Sequence, residues 1–309
     1  MLAVLAPGQG AQKSGFLAPW LTTRPVADLV AECSAAAGRN LAAAGTSMPD
    51  EAITDTAVAQ PLIVAAGIAA ASLLDLPEDV VYAGHSVGEL TAACLAGMLD
   101  LAATMRLVTV RGQQMAAASA YPPSGMAAVL GGSAVDVLAA IERAGCVAAN
   151  HNGSGQIVAA GTKDALADLV ASPPAGARVR PLAVAGAFHS PLMASARTAV
   201  AATAAEIYPH NSVAGVVSNR DGHRVTAGAD LLDRLVDQIC RPVRWDLCMT
   251  TLVELGVTAV IELPPAGTLT AMVRRAAPDV ATLALNSPDD LPAARDLIRE
   301  HAAVPAGAS

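Results

Sequence analysis

The sequence predicts an α/β chain built on a parallel sheet and interrupted by a small inserted domain, and three observations carry that prediction. Short apolar runs alternate with longer Ala- and Leu-rich segments over most of the chain, as strands alternate with helices around a parallel sheet. A middle stretch breaks this rhythm with the order β-α-β-β-α-β. The composition is 53% hydrophobic but only 2% aromatic, so core volume must come from many small side chains. That suits helices packed closely on a parallel sheet better than a β-sandwich. At 309 residues the chain can bury a full core and still carry an inserted domain.

The elements follow in order. Leu2 to Ala6 reads as a short buried strand, and Pro7-Gly8-Gln9-Gly10 as a turn that places Gln9 just beyond the strand end, where α/β proteins keep their sites. Helical patterns cover Val26 to Ala37 and Pro61 to Leu74. The second is the most membrane-like segment, but it is too short to span a bilayer, is interrupted at its start by Gln60-Pro61, and reads as a buried helix. Val80 to Ala83 is the next strand. It runs into Gly84-His85-Ser86-Val87-Gly88-Glu89 and then the helical Leu90 to Ala96, the strand, sharp turn and helix of a G-x-S-x-G nucleophile elbow. The elbow makes the large domain α/β-hydrolase-like. Leu101 to Ala118 is helical.

From Ser124 to Ala187 the pattern gives strand Met126 to Leu130, helix Ala134 to Ala144, strands Val147 to Asn150 and Gln156 to Ala160, helix Lys163 to Ala171 and strand Val179 to Val184. This is the ferredoxin-like split unit, with Asn150-His151-Asn152-Gly153-Ser154-Gly155 as its hairpin connection. The expected division is a large domain of residues 1-123 plus 189-309 and a small domain of residues 124-188. Beyond it come a helix at Leu192 to Glu206, a strand at Val213 to Ser218, a helix at Ala229 to Ile239, a helix and strand within Leu247 to Leu263, and a helix at Thr268 to Arg275. A Pro/Ala-rich tail, Val304 to Ser309, is expected to fray.

Several function classes are disfavoured. A net charge of -8, with no basic run interleaved with aromatics, argues against nucleic acid as a partner. Five scattered cysteines without C-x-x-C spacing indicate neither a disulfide framework nor a zinc site, and point to a reducing, cytoplasmic setting. Met1 to Ala6 lacks a basic flank and runs into Pro7-Gly8, so neither a signal peptide nor a membrane partner is expected.

Ser86 is the first catalytic candidate. Gly84 and Gly88 remove side chains where the turn crowds its neighbours, and the helix behind the serine aims free N–H groups at a developing oxyanion. Its base is sought among six histidines. His189, in Phe188-His189-Ser190-Pro191, lies where the small domain returns to the large one and is preferred, with a core or capping histidine as the plain alternative. His85 is expected to point into the scaffold, and His301 is the competing base if the triad order is that of a hydrolase. Arg111 sits among apolar neighbours on its helix, so its guanidinium either binds an anionic substrate bidentately or closes an intramolecular salt bridge.

Pro7-Gly8-Gln9-Gly10, Gly84-His85-Ser86-Val87-Gly88-Glu89, Val110-Arg111-Gly112 and Phe188-His189-Ser190 together resemble, in order and spacing, the malonyl-CoA:acyl carrier protein transacylases. Asn152-Gly153-Ser154-Gly155-Gln156 and Val217-Ser218-Asn219 look like that family as well, so the resemblance covers nearly the whole chain. It implies ping-pong transfer of a malonyl group from malonyl-CoA to the phosphopantetheine thiol of an acyl carrier protein, for fatty acid or polyketide synthesis. Ser86 would be the nucleophile, His189 the base, the Gln9 and Val87 N–H groups the oxyanion hole, and Arg111 the holder of the malonyl carboxylate. The main-chain carbonyl of Gln238, in Leu235-Val236-Asp237-Gln238, would orient the histidine in place of an acidic third member.

Phe188 beside the base goes with malonyl rather than methylmalonyl. No cofactor is bound permanently, coenzyme A arriving as the substrate thioester; no metal is implied, and a monomer is expected. Arg178, Arg180, Arg274 and Arg275 are candidates for a basic patch that attracts an acidic carrier. One departure stands out, because the family's E-x-G-P-G reads Glu262-Leu263-Pro264-Pro265-Ala266-Gly267 here. Two other readings compete: an acyl hydrolase using His301, and a non-catalytic module that docks a carrier protein.

Overall fold

The first strand, β1 (Leu2–Ala6), is buried at every position, as an apolar run must be when helices cover both faces of a sheet. The computed structural model describes residues 1–301. After β1 the chain forms α1 (Arg24–Ala37), α2 (Leu41–Ser47), α3 (Asp50–Ile53), α4 (Thr56–Ala71), β2 (Val81–Gly84), α5 (Gly88–Leu95) and α6 (Leu101–Ala118). A middle block follows: β3 (Ser124–Gly131), α7 (Ala134–Arg143), β4 (Val147–Gly153), β5 (Gln156–Thr162), α8 (Lys163–Ala171) and β6 (Ala177–Pro181). The remainder is α9 (Ala194–Ala204), β7 (Val216–Val217), β8 (Arg224–Val225), α10 (Gly228–Gln238), α11 (Trp245–Glu254), β9 (Ala259–Glu262), α12 (Thr268–Ala276), β10 (Ala281–Ala284) and α13 (Leu291–His301).

Two sheets organise these elements. The larger has the order β10-β9-β1-β2-β7-β8, with parallel pairing from β10 through β7 and an antiparallel β8 at its edge. The smaller, order β4-β5-β3-β6, is antiparallel. Chain from the two meets at one bridge, where the His151 N–H donates to the Val243 carbonyl and the Val243 N–H to the Ala149 carbonyl, each at 2.9 Å. Because β1 and β2 are adjacent and parallel, the turns after both, carrying Gln9 and Ser86, open at the same sheet edge.

Burial separates the helices by composition. α4 is apolar around its whole circumference and almost every residue of it is buried, making it a core helix. Asp55 caps it by accepting the Ala57 N–H at 2.8 Å. The helix therefore starts at Thr56, and Pro61 lies inside it, not at an interrupted start. The sequence reading placed no element at α2, α3, β8, β10 or α13, and its other differences are short. Residues 182–184 leave the sheet after β6, the segment from Val213 pairs only at Val216–Val217, and the helix expected from Leu192 begins with a single 3-10 turn at Pro191–Met193. No helix among the described residues is long and apolar enough to cross a membrane. The Val304 to Ser309 tail lies outside the described residues.

The elbow is the tightest place in the fold. Ser86 adopts φ +53°, a left-handed conformation that a non-glycine residue holds only when its surroundings enforce it. A Cβ on Gly84 would lie 2.1 Å from the Gly88 carbonyl, and one on Gly88 would lie 2.1 Å from the Ala6 oxygen. Backbone thus packs on backbone across the β2–α5 turn and onto β1. Gly84→Ala is expected to cost at least about 3 kcal/mol, the upper end of an overpacked core, and to displace Ser86. Gly97→Ala, at φ +70° with open space around it, should cost only about 1–2 kcal/mol. Urea unfolding of the two variants checks this; equal losses would refute the crowding argument.

Candidate active site

Ser86 is held between β2 and α5 with its N–H donating to Asn219 Oδ1 at 2.8 Å. Its Oγ lies 2.7 Å from His189 Nε2 and 3.4 Å from Arg111 Nη2. His189 approaches from the segment between β6 and α9, itself at φ +59° and buried. That segment is pinned locally: Ser190 Oγ donates to the Ala187 carbonyl at 2.6 Å, and the Ala187 N–H donates to Ser124 Oγ at 3.2 Å. Gly186 allows the approach, since a Cβ there would sit 1.9 Å from Ser119 Oγ.

The His189 tautomer follows from its second partner. Nδ1 is 2.8 Å from the main-chain carbonyl of Gln238, which can only accept, so Nδ1 carries the proton and Nε2 presents its lone pair to the Ser86 hydroxyl. Burial, with the Arg111 charge second, pushes the imidazole down to about 3. The ring is therefore neutral at neutral pH, the form a base requires.

Arg111 resolves an alternative that its neighbours in sequence left open. It is 2% exposed, yet it takes part in none of the ion pairs among the described residues. Its partners are neutral oxygens: Gln60 Oε1 at 2.7 Å, Gln238 Oε1 at 2.9 Å and Ser86 Oγ. Desolvation lowers it to about 10, so the guanidinium remains charged at neutral pH. A buried cation lacking a carboxylate partner, next to the elbow hydroxyl, can accept an incoming anion.

The Gln9 and Val87 N–H groups donate to no acceptor among the described residues, and both residues line the cavity in front of Ser86. The Gln9 side chain is tied back, Nε2 donating to the Thr54 carbonyl at 3.0 Å. This cavity, of about 340 Å³, lies between the two sheets: Gln9, Ser86 and Val87 form one wall, and Met126, Asn150 and Asn152 of the smaller sheet form the other. Phe188 lines it next to His189, and Leu182 to Val184 close one side.

The remaining expected residues sort clearly. His85 also borders the cavity, but its Nε2 is paired with Asn152 Oδ1 at 3.0 Å and its ring packs edge-on to Trp245 at 5.7 Å. His301 is on the surface, 2.8 Å from Thr258 Oγ1 and absent from the cavity, so the reading that made it the base is corrected. Arg178, Arg180, Arg274 and Arg275 are exposed, with Arg274 Nε donating to Thr282 Oγ1 at 2.7 Å. The loop that departs from E-x-G-P-G keeps a task for Glu262. Its buried carboxylate accepts the N–H groups of Gly267, Leu269 and Thr270 at 2.8–2.9 Å, capping α12, whose first residues line the cavity.

Three residues of the site went unassigned in the sequence reading. Asn219 clamps the elbow, accepting from the Ser86 N–H and donating to the Gly84 carbonyl at 2.7 Å. Gln60 reaches Arg111 from α4, where a lone amide in an apolar helix was the available signal. Glu89, fully buried on α5, accepts from Gln238 Nε2 at 2.5 Å and from the Asn219 N–H at 3.0 Å. No cluster of His, Cys, Asp or Glu that could hold a metal is present among the described residues.

A parallel α/β sheet, a hydroxyl on a strained strand-to-helix turn and a neutral imidazole against it define the class of serine-dependent acyl-transfer proteins. The family model described as Acyl transferase domain matches residues 4–295, and the chain belongs to that family of acyltransferases. A protein of Mycobacterium tuberculosis (strain ATCC 25618 / H37Rv) named malonyl CoA-acyl carrier protein transacylase is 50% identical over 296 residues, covering 94% of this chain and 98% of the relative. The crystal structure of MCAT from Mycobacterium tuberculosis superposes with a TM-score of 0.92 at 49% identity, over 96% of this chain and 99% of that one. A malonyl-transacylase in complex with its type II PKS acyl-carrier protein matches with a TM-score of 0.89 at 29% identity, over 96% and 99% of the two chains.

The geometry predicts the titration of His189. Its ring should remain the neutral Nδ1–H tautomer from about pH 5 to 8, where an ordinary histidine of pKa about 6.5 would change charge. Side-chain nitrogen NMR of the resting protein checks this, and a ring that titrates near the ordinary value would contradict the burial argument.

Proposed function

We propose that this chain transfers a malonyl group from malonyl-CoA to the phosphopantetheine thiol of an acyl carrier protein through a malonyl ester on Ser86, in fatty acid or polyketide synthesis. The observation that carries the reading is Arg111, a buried guanidinium free of any carboxylate, 3.4 Å from the Ser86 hydroxyl. The names of the relatives point to the same reaction.

In the first half-reaction the Ser86 Oγ attacks the thioester carbonyl as its proton passes to His189 Nε2. The Gln9 and Val87 N–H groups receive the developing oxyanion. The tetrahedral intermediate collapses by breaking the carbon–sulfur bond, and His189 returns the proton to the departing coenzyme A thiolate. In the second half the carrier thiol gives its proton to His189, its sulfur attacks the ester carbonyl, and the Ser86 alkoxide leaves and is reprotonated. The Gln238 carbonyl keeps the ring in register throughout. Arg111 holds the malonyl carboxylate and fixes the acyl chain, which disfavours attack by stray water.

We also read residues 124-188 as a ferredoxin-like domain inserted into an α/β-hydrolase-like domain of residues 1-123 plus 189-309. The order β4-β5-β3-β6 supports this, since the second, third, first and fourth strands of a split β-α-β-β-α-β unit lie side by side in that sequence. A cytoplasmic monomer without a resident cofactor completes the proposal.

Intact-protein mass spectrometry after brief exposure to malonyl-CoA tests the reaction. A malonyl adduct on the unaltered protein, absent from Ser86→Ala and moving to an added holo carrier protein, is the expected result; an adduct that decays to water favours a hydrolase, and no adduct favours a docking module. Arg111→Ala should lose about 2–5 kcal/mol of malonyl transfer and most of the preference over acetyl. Retained preference would remove Arg111 from the role. Phe188, lining the cavity beside the base, is proposed to exclude an α-methyl branch. Phe188→Ser should then gain turnover of methylmalonyl-CoA, measured against malonyl-CoA, and no gain would show that the ring is only packing.

A further inference from the structure

Glu89 is the buried ionisable group of the site that the transfer steps leave without a task. It is 1% exposed and makes no ion pair among the described residues. Its Oε2 accepts the Gln238 Nε2–H at 2.5 Å, while the oxygen of the same carboxamide accepts Arg111 Nη2–H at 2.9 Å. Guanidinium, amide and carboxyl stand in one line of hydrogen bonds. The amide turns its negative end to the cation and its positive end to the carboxyl, an orientation that stabilises both charges in a low-dielectric interior.

That arrangement answers a physical need. A buried guanidinium without substrate requires a nearby anion, but a direct ion pair would occupy the fork meant for the substrate carboxylate. An anion one amide away supplies the charge and leaves the fork available. When a substrate carboxylate arrives, two anions share one buried cation, and like charges at close quarters disfavour ionisation of both.

Taking Arg111 as the holder of the acyl carboxylate, as argued above, we propose that Glu89 is its resting counter-charge, acting through Gln238. On docking of that carboxylate the ionised fraction of Glu89 takes up protons from solvent, and it returns them when the acyl group leaves. Glu89 is a positioning residue in this scheme; it touches no reacting atom.

The groups facing Glu89 single it out. From α6 comes Arg111, from α10 Arg234 and Gln238, from the end of β7 Ser218 and Asn219, and from α11 the Cys248 thiol. Arg234 is engaged by Asp221 and Asp230. Burial raises Cys248 well above its ordinary value, so it stays protonated. His189 is already neutral. Burial lifts the Glu89 carboxyl to about 7, against the opposing hydrogen bonds from Asn219, Ser218 and Gln238 and the smaller opposing effect of the Arg234 charge. Glu89 is the member of this set poised to change charge near neutrality. A monocarbonyl acyl group such as acetyl brings no second anion and leaves it alone.

The test uses Ser86→Ala, which can bind malonyl-CoA without being acylated. Calorimetry near pH 7 in buffers of different ionisation enthalpy should show uptake of up to about half a proton per site on binding malonyl-CoA, because a group half-protonated at rest becomes fully protonated. Acetyl-CoA should bind with none, and adding Glu89→Gln should abolish the malonyl uptake. An infrared difference spectrum with heavy carbon in the glutamate carboxyls gives the same answer without altering Glu89: a protonated-acid band should grow on malonyl-CoA binding alone.

Binding of malonyl-CoA without proton uptake, uptake that persists in Glu89→Gln, or no acid band would overturn the proposal. Its failure is separable from that of the underlying reading through the malonyl-to-acetyl affinity ratio in Arg111→Ala. A ratio that falls while proton uptake is absent retains Arg111 and rejects Glu89. An unchanged ratio rejects both.

Discussion

The structure depends on one constraint: a serine must be carried in a left-handed conformation at the point where β2 turns into α5. Holding Ser86 at φ +53° requires the flanking backbone to close on itself, and it does so by placing Gly84 against Gly88 and Gly88 against Ala6. Those contacts in turn set β1 beside β2 and bring the Gly8-Gln9 turn over the elbow, a Cβ on Gly8 lying 3.0 Å from the His85 carbonyl. The two unpaired N–H groups assigned to the oxyanion hole come from these two turns. The proposed nucleophile and its oxyanion donors are therefore products of the same close approach, and neither could be repositioned without the other.

Behind the elbow the site is electrostatic. Arg111, Glu89, Gln238, Gln60 and Asn219 are all buried, and amides separate the two charged members. Gln238 is central because it works at both ends. Its main-chain carbonyl fixes the His189 tautomer, and its carboxamide reaches Arg111, Glu89, Asn219 and the Ser86 carbonyl. An acidic third member at that position would hold a negative charge against the imidazole and raise its affinity for protons. A neutral carbonyl orients the ring and raises its proton affinity only against the larger lowering by burial and then by the Arg111 charge. Burial and the Arg111 charge together keep the ring neutral, as its proposed role as base requires.

Much of this was legible in sequence, and the reasons differ by element. The elbow and α6 were read from local signals, glycines at fixed offsets and the helical pattern of Leu101 to Ala118; the structure adds an Asp100 cap at the start of α6. The alternation of the middle block gave its order of strands and helices, though β6 was placed two residues late because Leu182 and Val184 continue the apolar pattern after the chain has left the sheet for the cavity wall. The break assumed at Gln60-Pro61 failed because Asp55 had already started α4; Pro61, its sixth residue, gives up one intrahelical hydrogen bond in a helix that is buried almost throughout. α13 and the edge strand β10 were missed, the latter being four residues with only intermediate burial. The roles of Gln238, Gln9 and Val87 came from resemblance alone. A main-chain carbonyl and main-chain N–H groups leave no mark in side-chain identity, and no local pattern announces that Glu89 and Asn219 meet across 130 residues.

On the role proposed for Arg111, its placement decides how an acyl chain would lie. The guanidinium does not border the open cavity, although it touches the Ser86 hydroxyl that does, so it sits on the protein side of the elbow. A carboxylate that reaches it has to pass Ser86 and enter the interior. The thioester carbonyl is then left at Oγ, and the pantetheine arm extends outward between the elbow wall and the smaller sheet. Coenzyme A and a carrier protein share that arm and differ only beyond it. One cavity can therefore admit both in turn while the acyl group never reverses direction, and the only group exchanged at the mouth is the one that must leave.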